Sequence, residues 1–242
     1  MRYKAILMYD GNNYAGWQIQ PNAITVQEKV QEALKNLTQE DINVTAAGRT
    51  DAGVHAMGQA IHFDCDKEFT DIRKAINSQL PDDIHMKSCE AVSDEFHARY
   101  DAKWKMYSYM INMGEFNPLL CHHVYQLGQQ LDLDKMVEAS NVFLGEHDFT
   151  SFNATKLSEM PDQVREIYNI EIVNDSNDLL TVEVYGNGFL RHMVRMIVGT
   201  LIEVGKGNLS VEDVEKLLES KDKDAVHYNA PADGLYLVEI GY

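Results

Sequence analysis

The sequence predicts an α+β protein built as two ferredoxin-like (RRM-like) α/β halves with mostly antiparallel sheets. Three observations predict it. At 242 residues, with 45% hydrophobic and 24% charged residues, the chain can bury a core and has room for two domains of roughly 100–150 residues. Its first hundred residues read as strand, helix, strand, strand, helix, strand, which is the ferredoxin-like order. The remainder repeats that logic with additions, without sequence identity between the two parts. The expected division is 1–103 and 104–242.

The elements follow in chain order. Arg2–Asp10 alternates and is rich in β-formers, so it reads as a strand. Thr25-Val26-Gln27-Glu28 has the spacing of a capping box, and Val26, Val30, Ala33, Leu34 and Leu37 then recur at helical period. Strands are expected near 43–47 and 59–65, a helix near 71–80 and a strand near 84–91. In the second half, 104–112 reads as a strand and 132–144 as a helix. Strands 164–173 and 179–186 follow, joined by a turn at Asp175–Asp178. Leu190, Met193, Val194, Ile197, Val198, Leu201 and Ile202 form a helical stripe that Gly205 stops. Ser210 opens a short extra helix, and Leu235–Ile240 closes the chain as a strand. The connection 145–163 holds His147, Asp148, Phe149 and Phe152. At that length it is expected to be functional or disordered.

Composition removes several classes of function. No apolar run approaches the roughly 18 residues of a membrane span, and the charged start MRYKAILMYD lacks the body of a signal peptide. Cys65, Cys89 and Cys121 are odd in number and show no CxxC spacing, which fits neither a disulfide framework nor a zinc ribbon. A reduced, cytoplasmic protein is expected. GxxxxGK[ST], GxGxxG and HExxH are all absent, so no nucleotide cradle or zinc motif is legible, and no metal site is expected. With 21 Lys+Arg against 38 Asp+Glu the net charge is −17, of which −5 falls on residues 1–103 and −12 on the rest. Bulk attraction cannot bring such a chain to a polyanion. A nucleic-acid partner would have to meet a local basic cleft.

Three segments could carry chemistry. In Gly48-Arg49-Thr50-Asp51-Ala52-Gly53-Val54-His55-Ala56, two glycines bracket a tight turn with Asp51 at its tip. Such an aspartate either caps its own backbone as an Asx turn or works as a nucleophile or base, in which case a neighbouring arginine favours the ionised carboxylate. The run Phe96-His97-Ala98-Arg99-Tyr100-Asp101-Ala102-Lys103-Trp104-Lys105-Met106-Tyr107-Ser108-Tyr109 interleaves bases and aromatics in an otherwise acidic chain. That pattern suits stacking on exposed nucleobases with cations on phosphates, though Tyr107 and Tyr109, on one strand face, could equally pack into a core. In Gly188-Phe189-Leu190-Arg191-His192-Met193-Val194-Arg195, the two arginines are spaced i,i+4. Arg195 borders the apolar stripe, and a half-buried arginine there calls for a carboxylate, catalytic or structural.

Taken together these segments resemble the tRNA pseudouridine synthase A (TruA) family. The resemblance also includes Tyr9-Asp10-Gly11, Tyr14-Ala15-Gly16-Trp17-Gln18 and Gly145-Glu146-His147-Asp148-Phe149, all in order along nearly the whole chain. It implies an active-site cleft between the two halves. Asp51 matches the catalytic aspartate, Arg49 the arginine that takes the place of a flipped base, Tyr107 the tyrosine that stacks on the target uracil, and Arg195 the basic partner of the aspartate. It further implies no cofactor and no metal, a homodimer, and uridines at positions 38–40 of the tRNA anticodon arm as substrate. Two other classes stay open on the residues alone: a catalytically silent RNA-binding or chaperone protein on the same fold, against which an intact Asp51 speaks, and an Asp/His metal hydrolase, which chelators would expose.

Overall fold

The computed structural model describes residues 1–67, 69–174 and 178–242, so the expected turn at Asp175–Asp178 lies almost wholly outside the described residues. The fold is mixed α/β with mostly antiparallel pairing. It divides into two compact units, Met1–Lys103 with Tyr236–Tyr242, and Trp104–Leu235.

Unit 1 contains β1 (Arg2–Tyr9), α1 (Val26–Thr38), β2 (Thr45–Ala46), β3 (His55–Asp64), α2 (Ile72–Asn77) and β4 (Ile84–Val92), with the final strand β10 (Leu235–Gly241) added from the chain end. β1 lies between β4 and β3, antiparallel to both. The far edge of β3 is shared: β2 pairs antiparallel at Thr45↔His62, and β10 pairs parallel at Tyr236↔His55. Burial follows the period-2 pattern on β1, where Ala5, Leu7 and Tyr9 are buried. α1 buries Val26, Val30, Ala33 and Leu34. Its first turn carries the expected capping box: Thr25 Oγ1 accepts from Glu28 N–H and the Glu28 carboxylate accepts from Thr25 N–H. β3 starts at His55, four residues before the strand expected near 59, because the glycine-bracketed turn is tighter than its length suggests.

Unit 2 contains β5 (Trp104–Asn112), β6 (Tyr125–Gln126), α3 (Leu133–Ser140), β7 (Gly145–Asp148), β8 (Val164–Asn174), β9 (Leu179–Gly186), α4 (Met193–Gly205) and α5 (Val211–Ser220). The strands run in the order β5-β9-β8-β7, all antiparallel, with β6 parallel to β5. Two expectations need correction. Residues 145–163 are not one long connection. Gly145–Asp148 pairs with β8 from Gly145↔Ile167 to Asp148↔Val164, and Thr150–Phe152 forms a 3-10 turn. A four-residue polar edge strand has too few β-formers to announce itself. The helical stripe also begins later than Leu190: His192 takes a left-handed φ of 63°, so α4 starts at Met193 and Arg191 stands outside it. Arg191 and Arg195 are therefore not neighbours on one helix face. From Met193 onward α4 is buried almost all round.

Candidate active site

The Asp51 turn is built by backbone-to-backbone contact. Residues 10–18 lie against 48–54 so closely that a Cβ on Gly11 would stand 2.1 Å from the Val54 carbonyl oxygen, and one on Gly16 2.6 Å from that of Thr50. Gly16 also has a φ of +90°, which L side chains rarely adopt. Trp17 N–H donates to the Thr50 carbonyl at 3.0 Å, and the Asp51 main-chain carbonyl accepts from Val54 N–H at 3.1 Å. From below, the Tyr9 hydroxyl and Thr50 Oγ1 share a buried hydrogen bond of 2.8 Å, and burial pushes the Tyr9 phenol up to about 12. The Gln59 amide donates to the Gly48 carbonyl at 2.7 Å. Every one of these bonds fixes main chain or Thr50, which is buried. What the turn presents is Asp51, half-buried, and Arg49, exposed.

His55, at the end of the turn, is packed against Asp10, Gly11 and Tyr236. It is 1% exposed, with Nδ1 accepting from Gly11 N–H at 3.1 Å and lying 3.2 Å from an Asp10 carboxylate oxygen, and its ring stacks on Tyr236 at 4.6 Å. The Asp10–His55 pair was not singled out in the sequence, although Tyr9-Asp10-Gly11 was. The bond from Gly11 N–H to His55 Nδ1 ties the loop that carries Gly11 to the start of β3.

In unit 2, Tyr107 sits on β5 opposite Val184 of β9, 8% exposed, with its ring edge-to-face on Phe189 at 5.2 Å and 82°. Tyr109 lies on the same strand face, fully buried, and its hydroxyl donates to the Pro231 carbonyl at 2.8 Å. Burial raises that phenol far above its ordinary value. Arg195 is half-buried in the first turn of α4. Its Nε donates to the Ala230 carbonyl at 2.7 Å, while Ala230 N–H donates to the Arg195 carbonyl at 3.0 Å. A short strap, Tyr228–Pro231, thus holds both Arg195 and Tyr109. The strap approaches α4 at Gly199, where a Cβ would stand 2.7 Å from the Tyr228 carbonyl oxygen.

A second support, unread in the sequence, holds the chain just before α4. Lys223 Nζ donates to the Asn153 carbonyl, to Asn153 Oδ1 at 2.8 Å and to Gln163 Oε1 at 3.0 Å, and burial lowers its pKa. Asn153 Nδ2 donates to Gln163 Oε1 at 2.7 Å, and both residues are 2% exposed. From this knot, Ala154 N–H donates to the Arg191 carbonyl, and Arg191 N–H donates to Thr155 Oγ1. Isolated Asn, Gln and Lys residues in a connecting segment carry no motif, so only their convergence identifies them.

Comparison with known proteins bears on these two groups of residues. The family model for tRNA pseudouridine synthase matches residues 5–101 and 139–242. The chain belongs to the tRNA pseudouridine synthase family. It is 44% identical over 247 residues to tRNA pseudouridine synthase A of Bacillus licheniformis, covering 100% of this chain and 99% of the relative. The same enzyme of Ruminiclostridium cellulolyticum is 44% identical over 244 residues, with coverage of 100% and 99%. Among solved structures, the archaeal box H/ACA sRNP Nop10-Cbf5 complex includes a chain that aligns over 95% of this one and 58% of its own length, at 11% identity and a TM-score of 0.40. The pseudouridine synthases are isomerases, and the matched spans contain both the Asp51 turn and the Arg195 helix. No helix among the described residues is long and apolar enough to cross a membrane.

Proposed function

We propose that this synthase isomerises uridine to pseudouridine at positions 38–40 of the tRNA anticodon arm, with Asp51 as the catalytic carboxylate and without a cofactor or metal. The observation that carries this reading is the construction of the Asp51 turn. Buried bonds and two glycines lock its main chain, leaving Asp51 half-buried and Arg49 exposed, as a site on a rigid scaffold requires.

The reaction asks little beyond such a site. The uridine leaves the stack at a cost of a few kcal/mol, its N1–C1′ bond breaks, the ring turns, and C5 bonds to C1′ and gives up its proton. Atoms are conserved, and no electron or phosphoryl donor enters. Asp51 acts as nucleophile or base, and Arg49, exposed beside it, fills the place of the flipped base. Tyr107, oriented by the edge of Phe189, stacks on the uracil. Arg195, held through Nε by Ala230, has the role of basic partner to the aspartate. In this reading residues 1–103 carry the catalytic turn, 104–242 carry Tyr107 and Arg195, each half is ferredoxin-like, and the enzyme is a cytoplasmic homodimer.

The test is to map pseudouridines in tRNA treated with the purified protein and with Asp51→Asn and Asp51→Ala. Wild type should modify positions 38–40. Both variants should be inactive yet bind tRNA within a few fold, since removing one anion does not weaken an RNA site. More than a few per cent residual activity in Asp51→Ala would overturn the assignment of the nucleophile, and modification elsewhere would overturn the target.

A further inference from the structure

In unit 1 the most exposed aromatic ring is also a held one. Tyr100 is 76% exposed, yet its ring stacks on His97 at 4.2 Å and 26°. His97 is fixed in turn. Its Nδ1 accepts from the main-chain N–H groups of Arg99 and Tyr100, both at 3.2 Å, and the His97 main-chain N–H donates to Asp101 Oδ2 at 2.8 Å. Beneath it lies His62, 4.8 Å away, whose Nδ1 accepts from Ala98 N–H. Phe96 and Tyr242 continue the cluster into the unit, with centroids 5.0 Å apart, and the Tyr242 hydroxyl donates to the Ala98 carbonyl at 2.8 Å. An exposed tyrosine with no function would lose nothing by rotating freely. Here one face is covered by an immobilised imidazole and the other faces solvent.

We propose that the His97–Tyr100 stack is a binding platform for one unpaired base of the tRNA substrate, separate from the uridine that reacts. The proposal rests on tRNA being the substrate, but not on the role given to Asp51. Base–aromatic stacking tolerates any base and draws its strength from a ring already ordered. It also suits a chain of net charge −17, because stacking does not depend on a positive field. Arg99 and Lys103 are exposed on and just after the same turn and can meet the flanking phosphates.

The experiment compares tRNA affinity and steady-state kinetics of the full-length protein with those of Tyr100→Ala, Tyr100→Leu and Tyr100→Trp. Tyr100→Ala should raise Kd and KM for tRNA roughly 5- to 150-fold and leave kcat at saturating tRNA unchanged. Tyr100→Leu, which covers His97 without a π face, should behave like alanine, whereas Tyr100→Trp should bind at least as tightly as wild type. The dependence of Kd on salt should keep its slope in all three, because no phosphate contact is lost. Binding of a fully paired RNA duplex should not distinguish the variants. Wild-type Kd and KM in Tyr100→Ala, or leucine rescuing as well as tryptophan, would overturn the platform. A wild-type enzyme that modifies tRNA outside positions 38–40 would overturn the proposed target while leaving this comparison decisive.

Discussion

At the scale of single residues, the candidates for chemistry and their supports differ in how they can be found. Arg49, Asp51, Tyr107 and Arg195, to which the proposal gives chemistry, stand out in the sequence because reactive residue types lie in short, unusual runs. Their supports do not, because a glycine, an asparagine or a backbone carbonyl becomes informative only when its neighbour in space is known. Gly16 is the clearest case. With φ at +90° and the Thr50 oxygen 2.6 Å from where a Cβ would lie, Gly16→Ala should destabilise the protein by at least about 1–2 kcal/mol. It should also cut kcat by displacing the Asp51 turn. Urea unfolding and initial rates check this, and unchanged values of both would show that the turn adapts. Tyr107 separates two roles of one ring. Tyr107→Phe keeps the stack and should keep tRNA binding, whereas Tyr107→Ala should lose about 1–3 kcal/mol of base stacking along with activity. Near-native rates in both variants would make Tyr107 a core residue only, as its 8% exposure permits.

At the scale of elements, the sequence was read best where periodicity was long and caps were explicit. α1 begins at Val26 behind the Thr25–Glu28 box, and Thr25→Ala should cost about 1 kcal/mol. The start of α4 was misread, because the apolar stripe runs back through Leu190 whereas the left-handed turn at His192 and the bonds from Ala154 and Thr155 pull the chain out of the helix. Side-chain pattern reports a buried face and cannot report a backbone dihedral. The same helix shows why an interior glycine can be indispensable. Gly199→Ala gains helix propensity yet drives a methyl into the Tyr228 carbonyl, so it should destabilise by about 1–3 kcal/mol. Because that strap carries Ala230, the acceptor for Arg195 Nε, kcat should fall as well. A more stable and fully active Gly199→Ala would mean that the strap does not position Arg195.

At the scale of the whole molecule, charge and pH are the levers. With a net charge of −17, the electrostatic part of tRNA affinity must come from a few local cations. Replacing both Lys103 and Lys105 with glutamine should flatten the salt dependence of Kd by roughly one to two units of slope and leave the single-turnover rate at saturating tRNA intact. An unaltered slope would place these lysines off the RNA. Acid should weaken the fold. Burial, and then the charge of Arg2, hold the His62 pKa below its ordinary 6.5, so the unfolded chain takes up that proton first. The stability His62 contributes is present above about 6.5 and is lost as pH falls through its lower folded value. Unfolding free energies between pH 8 and 5 should decline accordingly, and less so in His62→Asn. The sequence by itself determined the mixed α/β class, the major strands and helices, and the family, because each is written in patterns a few to a dozen residues long. Only tertiary structure decided that β10 returns to pair with β3, that Gly145–Asp148 closes the edge of β8, that Lys223 and Ala230 hold residues tens of positions away, and that His62 lies against His97. Those outcomes rest on contacts between segments far apart in the chain, and no local period or propensity encodes which distant partner a backbone edge or a polar side chain will find.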